Sequence, residues 1–242
     1  MSEDSKYNYL VKLIRTNKLT EDDINFIESK INYIFVYSCM KDLDIAKWLY
    51  YNFPSLNIHY FEETPFIFAC EYGQKDIAKW LYNISKTTNN KINIHINNEK
   101  PFRHACKNGH KHIAKWLNNI SQVNIHALYE ESFHFACRYG HMELAKWLYK
   151  LSEKNHSQID ININNESIFT FICLENQIDI AKWLYNLSIK INKKIDITVN
   201  NHEIFILSCE FNKKDIAEWL CTLNDKYKIK YLYDVMLADI KY

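Results

Sequence analysis

Glycine and proline are nearly absent from this sequence, with three of each in 242 residues. The three glycines stand at Gly73, Gly109 and Gly140, which leaves none for a phosphate-cradling Gly-rich loop. No Gly/Ser linker or low-complexity tail interrupts the chain. Net charge is scarce too: 30 Lys and Arg oppose 29 Asp and Glu, for a formal +1. So balanced a chain has no broad field to draw nucleic acid or an anionic bilayer. The apolar run Tyr33 to Met40 is too short to span a membrane. Met1 to Lys6 is polar and acidic, with no apolar stretch behind it of the kind a secretory leader carries. The expectation from these absences is a cytoplasmic, monomeric protein with no membrane and no nucleic-acid partner.

What the sequence does have is repetition. Its tryptophans are Trp48, Trp80, Trp116, Trp147, Trp183 and Trp219, spaced by 31 to 36 residues, the period of helical arrays. Ten residues before the last five stand Cys70, Cys106, Cys137, Cys173 and Cys209; Cys39 lies nine before Trp48. Four residues before each Cys is a phenylalanine: Phe35, Phe66, Phe102, Phe133, Phe169 and Phe205. Six of the seven cysteines therefore occupy one register position. That is the placement of stacked core residues rather than disulfide partners, and it suits a reducing compartment.

Helical phase explains the unit. Ile77, Ala78, Trp80, Leu81, Tyr82 and Ile84 cover an arc of roughly 200° at about 100° per residue. So wide an arc fits a helix packed on its own partner and on its neighbours. A shorter helix precedes it, Pro65 to Tyr72 in the second copy, with Pro65 and Pro101 in the first turn where a missing N–H costs nothing. Gly73, Gly109 and Gly140, then Asn176 and Asn212, stand three residues after Cys as left-handed stops between the two helices. Short segments expected to be extended lead into each pair: Asn57 to His59, Asn93 to His95, Asn124 to His126, Asp160 to Asn162 and Asp196 to Thr198.

Thr64-Pro65-Phe66-Ile67-Phe68-Ala69-Cys70, then Gly73, then Ile77-Ala78-Lys79-Trp80-Leu81 resembles the ankyrin repeat. The pairs Gly109-His110 and Gly140-His141 match the family's Gly-His, and Asp160-Ile161-Asn162 its Asp-Val-Asn. The resemblance covers about Ile31 to Leu223. Its dialect, rich in Asn, Lys, Ile and Tyr, is similar to the ankyrin families of giant DNA viruses such as mimivirus. It implies an all-α repeat solenoid that binds protein partners through the concave face of its inner helices. Two departures from the family stand out: the family's β-hairpin finger is shortened here and has no Gly, and three second helices are extended, over Ser85 to Lys91, Ser152 to Gln158 and Ser188 to Lys194. The expected organisation is an N-terminal helical cap over 1–30, six repeats over 31–223, and a C-terminal capping helix over 224–242. In the first cap, Thr20 and Asp23 form a capping box.

No arrangement of residues points to catalysis or to a cofactor. His104, Cys106, His110 and His112 are the one set of metal-ligand types in proximity, at a spacing that matches no zinc template. A metal- or redox-responsive Cys/His protein is accordingly the alternative to a scaffold. The column Lys47, Lys79, Lys115, Lys146 and Lys182 reads as a solvated ridge. The positions three before and one after Cys vary from copy to copy and share one helix stripe. They supply Ile67, Glu71, Arg103, Lys107, His134 and Arg138, with Tyr72 and Tyr139 alongside. Read as exposed, this stripe would bind a partner with acidic residues around an apolar anchor. Intramolecular pairs compete for the same side chains, since Glu99 lies four before Arg103 and Glu130 four before His134.

Overall fold

The structure is a computed structural model that describes residues 3–88, 90–161 and 167–228. Every regular element among the described residues is a helix. Two helices lead in: α1 (Glu3–Thr16) and α2 (Glu21–Ser29), the latter opened by the Thr20/Asp23 capping box. Pairs of an inner and an outer helix follow: α3 (Ile31–Cys39) with α4 (Leu43–Asn52), α5 (Tyr60–Glu71) with α6 (Lys75–Lys86), and α7 (Ile96–Lys107) with α8 (Lys111–Ile120). The later pairs are α9 (Ala127–Arg138) with α10 (Met142–Lys154), α11 (Ser167–Leu174) with α12 (Ile178–Lys190), and α13 (Val199–Glu210) with α14 (Lys214–Leu223). The chain divides into two compact units, Met1–Ala127 and Leu128–Tyr242. The C-terminal capping helix expected over Tyr231 to Ile240 lies outside the described residues.

In both units the inner helices carry the same core. Phe35, Phe66, Phe102, Phe133, Phe169 and Phe205 are buried almost completely, as are Cys39, Cys70, Cys106, Cys137 and Cys173. Cys209 is only half-buried. The elbow after each inner helix from α5 onward is a Schellman stop: in the second repeat Gln74 N–H reaches Ala69 O at 2.8 Å and Gly73 N–H reaches Cys70 O at 3.4 Å. Gly73 has φ +79°, and a Cβ there would stand 2.7 Å from the His110 ring of the next repeat. Glycine is thus required twice, by conformation and by the histidine laid against it.

The tryptophans are half-buried rather than central, and Trp80, Trp116, Trp183 and Trp219 lie on seams between successive repeats. Trp80 meets Phe35 and Tyr50 of the preceding pair edge-on, with ring centroids 6.3 and 5.6 Å away. Trp116 meets Tyr82 edge-on at 6.0 Å and Phe66 at a tilt, 6.3 Å away. In the second unit Trp183 lies between Phe133 and Tyr149, and Trp219 between Phe169 and Tyr185.

Among the described residues the segments that enter the pairs are turns, not extended strands; Asn162 of the Asp160 to Asn162 segment lies outside the described residues. Asn57 Oδ1 accepts His59 N–H at 2.9 Å, and Tyr60 N–H returns to Asn57 O at 3.1 Å. Three consecutive residues then take left-handed conformations: Phe61 to Glu63 in the second repeat, Asn97 to Glu99 in the third, Leu128 to Glu130 in the fourth. None is glycine, and left-handed backbone costs L-residues roughly 1–2 kcal/mol each. In the second and third repeats the last residue of the turn offsets that cost. Glu63 is buried, its carboxylate 2.9 Å from His59 Nδ1 and 3.2 Å from the backbone N–H of Asn93 in the next repeat. Glu99 repeats the arrangement with His95 Nδ1 at 2.8 Å and Asn124 N–H at 3.1 Å. In the first copy Asn32 Oδ1 takes the N–H of Asn57 at 2.8 Å.

The outer helices α6, α10 and α12 end at Lys86, Lys154 and Lys190, short of the extensions expected to Lys91, Gln158 and Lys194, and the described residues beyond them form a return loop with its own latch. Ser85, Ser152 and Ser188 are buried, and each hydroxyl accepts the N–H of an isoleucine seven residues on, Ile92, Ile159 and Ile195, at 3.1 Å. The longer return loop is thereby anchored to the helix it leaves.

Replacing Trp116 by alanine removes the ring from the seam with Phe66 and Tyr82. We expect a loss of about 2–4 kcal/mol in denaturant unfolding, below the full-burial range because the indole is half-exposed. A loss under about 1 kcal/mol would show that the seam does not carry the stack.

Candidate functional site

The variable stripe of the inner helices is displaced from its expected position. Ile67 is 2% exposed and Arg103 8%, and His134 is half-buried. The reason is phase. At about 100° per residue, the position three before Cys lies some 60° from Cys and falls inside the buried arc. The outward stripe comprises the positions two before Cys, half-buried except at Phe171, and two after Cys, exposed in the second to sixth repeats; they are four apart and stack along the helix. In the first unit these are Phe68 with Tyr72, then His104 with Asn108. In the second they are Phe135 with Tyr139, Phe171 with Glu175, and Leu207 with Phe211.

Arg103 is spent on its own repeat. Its Nε donates to Asn98 O at 2.7 Å and its Nη2 to Asn97 O at 3.0 Å, so the guanidinium binds the carbonyls of the left-handed turn. Desolvation lowers its pKa, partly opposed by Glu99. Glu71 is half-buried and takes His104 Nδ1 at 2.8 Å, which is the main cause of its lowered pKa. Lys107 is half-buried. The four side chains expected to form a cationic patch thus do not make one within either unit.

In the second unit Arg138 donates through Nε and Nη2 to Glu175 Oε1 at 3.2 and 3.0 Å, and lies 4.9 Å from the Phe171 ring centroid. Its charge is met by its own chain. Beside it stand two exposed rings, Tyr139 and Phe171; Phe211, at the end of α13, is also exposed. In the first unit Tyr72 is half-exposed and packs edge-on against Phe68, 6.1 Å between centroids; Phe135 and Tyr139 pair at 6.0 Å in the second. The exposed stripe is therefore aromatic where the sequence suggested charge. The clue in the sequence was the Phe and Tyr content of the columns flanking Cys.

The residues considered for metal and thiol chemistry do other work. His104 is tied to Glu71, Cys106 is core, and His110 lies on Gly73. Among the described residues no three His, Cys, Asp or Glu side chains gather as a metal site. Burial pushes the thiols of Cys39, Cys70, Cys137 and Cys173 well up, away from the thiolate form that reacts.

The sequence profile described as Ankyrin repeats (3 copies) matches residues 33–129 and 133–231. The chain belongs to the ankyrin-repeat family. No curated protein matches it. Ankyrin repeats mediate protein–protein interaction in general, and the family is typically a non-enzymatic scaffold. This ankyrin array has a left-handed turn in place of the hairpin finger in its second, third and fourth repeats. No helix among the described residues is long and apolar enough to cross a membrane.

His134 supplies a titration test of this packing. Burial holds its pKa at about 4, below the ordinary 6.5, and Nε2 is buried without a partner. A depressed histidine contributes fully above the unfolded pKa, and its contribution is lost as pH falls through about 4. Acidification from pH 7 to 4 should therefore remove on the order of 3 kcal/mol through this residue. His134→Ile, the residue found at the same place in two other copies, should flatten the acid side of the stability profile by that amount. An unchanged acid slope would contradict the buried neutral imidazole.

Proposed function

We propose that this ankyrin array is a protein-binding scaffold without chemistry of its own, and that its partner lies along the exposed stripe of the inner helices. The observation that carries the reading is the contrast between columns. The core Phe and the Trp of the seam are kept from copy to copy, whereas the exposed inner-helix positions vary: Phe68 and Tyr72 recur as Phe135 and Tyr139, but the other copies carry His104 and Asn108, Phe171 and Glu175, and Leu207 and Phe211. Those positions hold Tyr72, Tyr139 and Phe171 beside Arg138, the residue types that dominate binding energy at interfaces. Glu71 and Lys107 border the stripe in the first unit. Ile67, Arg103 and His134 support it from beneath rather than touch the partner. Since Arg138 is already neutralised by Glu175, the partner offers apolar and aromatic groups more than acidic ones.

The Asn-, Lys-, Ile- and Tyr-rich dialect supports a source among giant DNA viruses, with a monomer acting in the cytoplasm of the host cell. Buried thiols and the pairing of His104 with Glu71 weigh against the metal- or redox-responsive alternative.

The test is affinity capture with a Tyr72→Ala/Tyr139→Ala chain, compared with Lys79→Glu/Lys146→Glu on the outer helices. Truncating two exposed anchors should lower recovery of the partner by about tenfold or more at unchanged Tm, while the outer-helix variant retains it. Loss of the partner in the outer-helix variant alone would move the binding face to the lysine ridge.

A further inference from the structure

The helices ahead of the first repeat do not close its flank. α1, the end of α2 and α3, with Tyr60 at the start of α5, line a solvent-open cavity of about 710 Å³. Its deepest residues are Tyr7, Leu10, Ile31 and Ile34, all buried. The Tyr7 hydroxyl donates away to Ser38 Oγ at 3.2 Å, so the floor presents ring and aliphatic surface. Three rings that line it, Phe26, Tyr33 and Tyr60, are each 40% or more exposed. Aromatic surface left at a concavity is a costly feature of a folded chain unless something covers it. The exposed charges lining the same cavity are Lys6, Lys30 and Glu28. Neither lysine is held in an ion pair among the described residues, so the surplus at this cavity is one positive charge.

We propose that this cavity is a binding site for a small amphipathic anion. An aromatic or branched apolar group would occupy the space among Leu10, Ile31 and Ile34, with the rings of Phe26, Tyr33 and Tyr60 around it. Its carboxylate or sulfonate would face Lys6 and Lys30. The volume falls within the roughly 300–1,000 Å³ that holds a whole small ligand. The two ends of such a molecule match the two chemistries of the cavity: an interior that asks for no hydrogen bond, and a cationic surplus that favours one negative charge. The site is separate from the inner-helix stripe and does not depend on the partner proposed there.

The full chain can be titrated with 8-anilinonaphthalene-1-sulfonate, an apolar ring system bearing an anion, and with its uncharged counterpart N-phenyl-1-naphthylamine. Both should bind, the anion more tightly. Lys6→Gln/Lys30→Gln should weaken the anionic probe about fivefold and leave the neutral one unchanged. Glu28→Lys should tighten the anionic probe alone. Ser29→Trp, which places a large ring at a residue lining the cavity, should reduce both by about tenfold or more. All the substituted side chains are exposed, and the circular dichroism melt of each variant should match wild type. Failure of either probe to bind, binding that survives Ser29→Trp, or an anionic probe indifferent to both the lysine and the Glu28 changes would overturn the assignment.

Discussion

The backbone N–H that opens a repeat is held by a side chain of the repeat before it. Asn32 holds Asn57, Glu63 holds Asn93, and Glu99 holds Asn124. The rest of the first unit depends on this bond, because the same carboxylates finish a run of left-handed residues that has no glycine to relieve it. An N–H buried without an acceptor costs about 1–3 kcal/mol, and a buried carboxylate without a donor costs more. Each turn is therefore completed only when the next repeat docks. The Trp seam adds the apolar half of the same dependence: Trp80 and Trp116 reach back to rings of the preceding pair. A repeat in this chain is not a free-standing fold, as expected of arrays whose stability is a sum of neighbour terms.

That division of labour explains what is left for function. The Phe and Trp side chains that build the seams recur in every copy, so they cannot distinguish partners. In the function proposed above, specificity belongs to the stripe that packing leaves exposed, and in both units this stripe carries exposed rings. Charged residues that vary beside it are largely satisfied within the chain, as the Glu71–His104 and Arg138–Glu175 pairs show. Rings offer large contact area at low entropic cost when their chain is already rigid. A helical stack with pre-positioned aromatics is thus suited to recognising shape and apolar surface.

Much of this was legible in the residues. The Phe, Cys and Trp registers disclosed the two-helix unit, the Gly and Asn positions its elbow, and Thr20 with Asp23 the start of α2. The left-handed turn was not legible, because Phe61, Glu62 and Glu63 carry no local signature of positive φ; the conformation is imposed by contacts with the following repeat. Arg103 and His134 were misplaced through phase. Both were read as exposed because they varied, yet a position beside the core can vary when each copy satisfies it differently, with an aliphatic at Ile67, carbonyl acceptors at Arg103 and a neutral ring at His134. The role of Ser85, Ser152 and Ser188 was hidden for a related reason. A serine on an outer helix has many uses, and only the returning loop reveals which one applies.

The dependence of each turn on its neighbour can be measured at single amides. Native-state hydrogen exchange followed by NMR reports the N–H of Asn93 and Asn124 separately. In the wild-type chain both should be protected although their side chains are exposed, and Glu63→Ala should release Asn93 while Asn124 stays protected by Glu99. Rapid exchange at Asn93 in the wild-type chain, or no change on removing Glu63, would contradict the claim that one repeat holds the next.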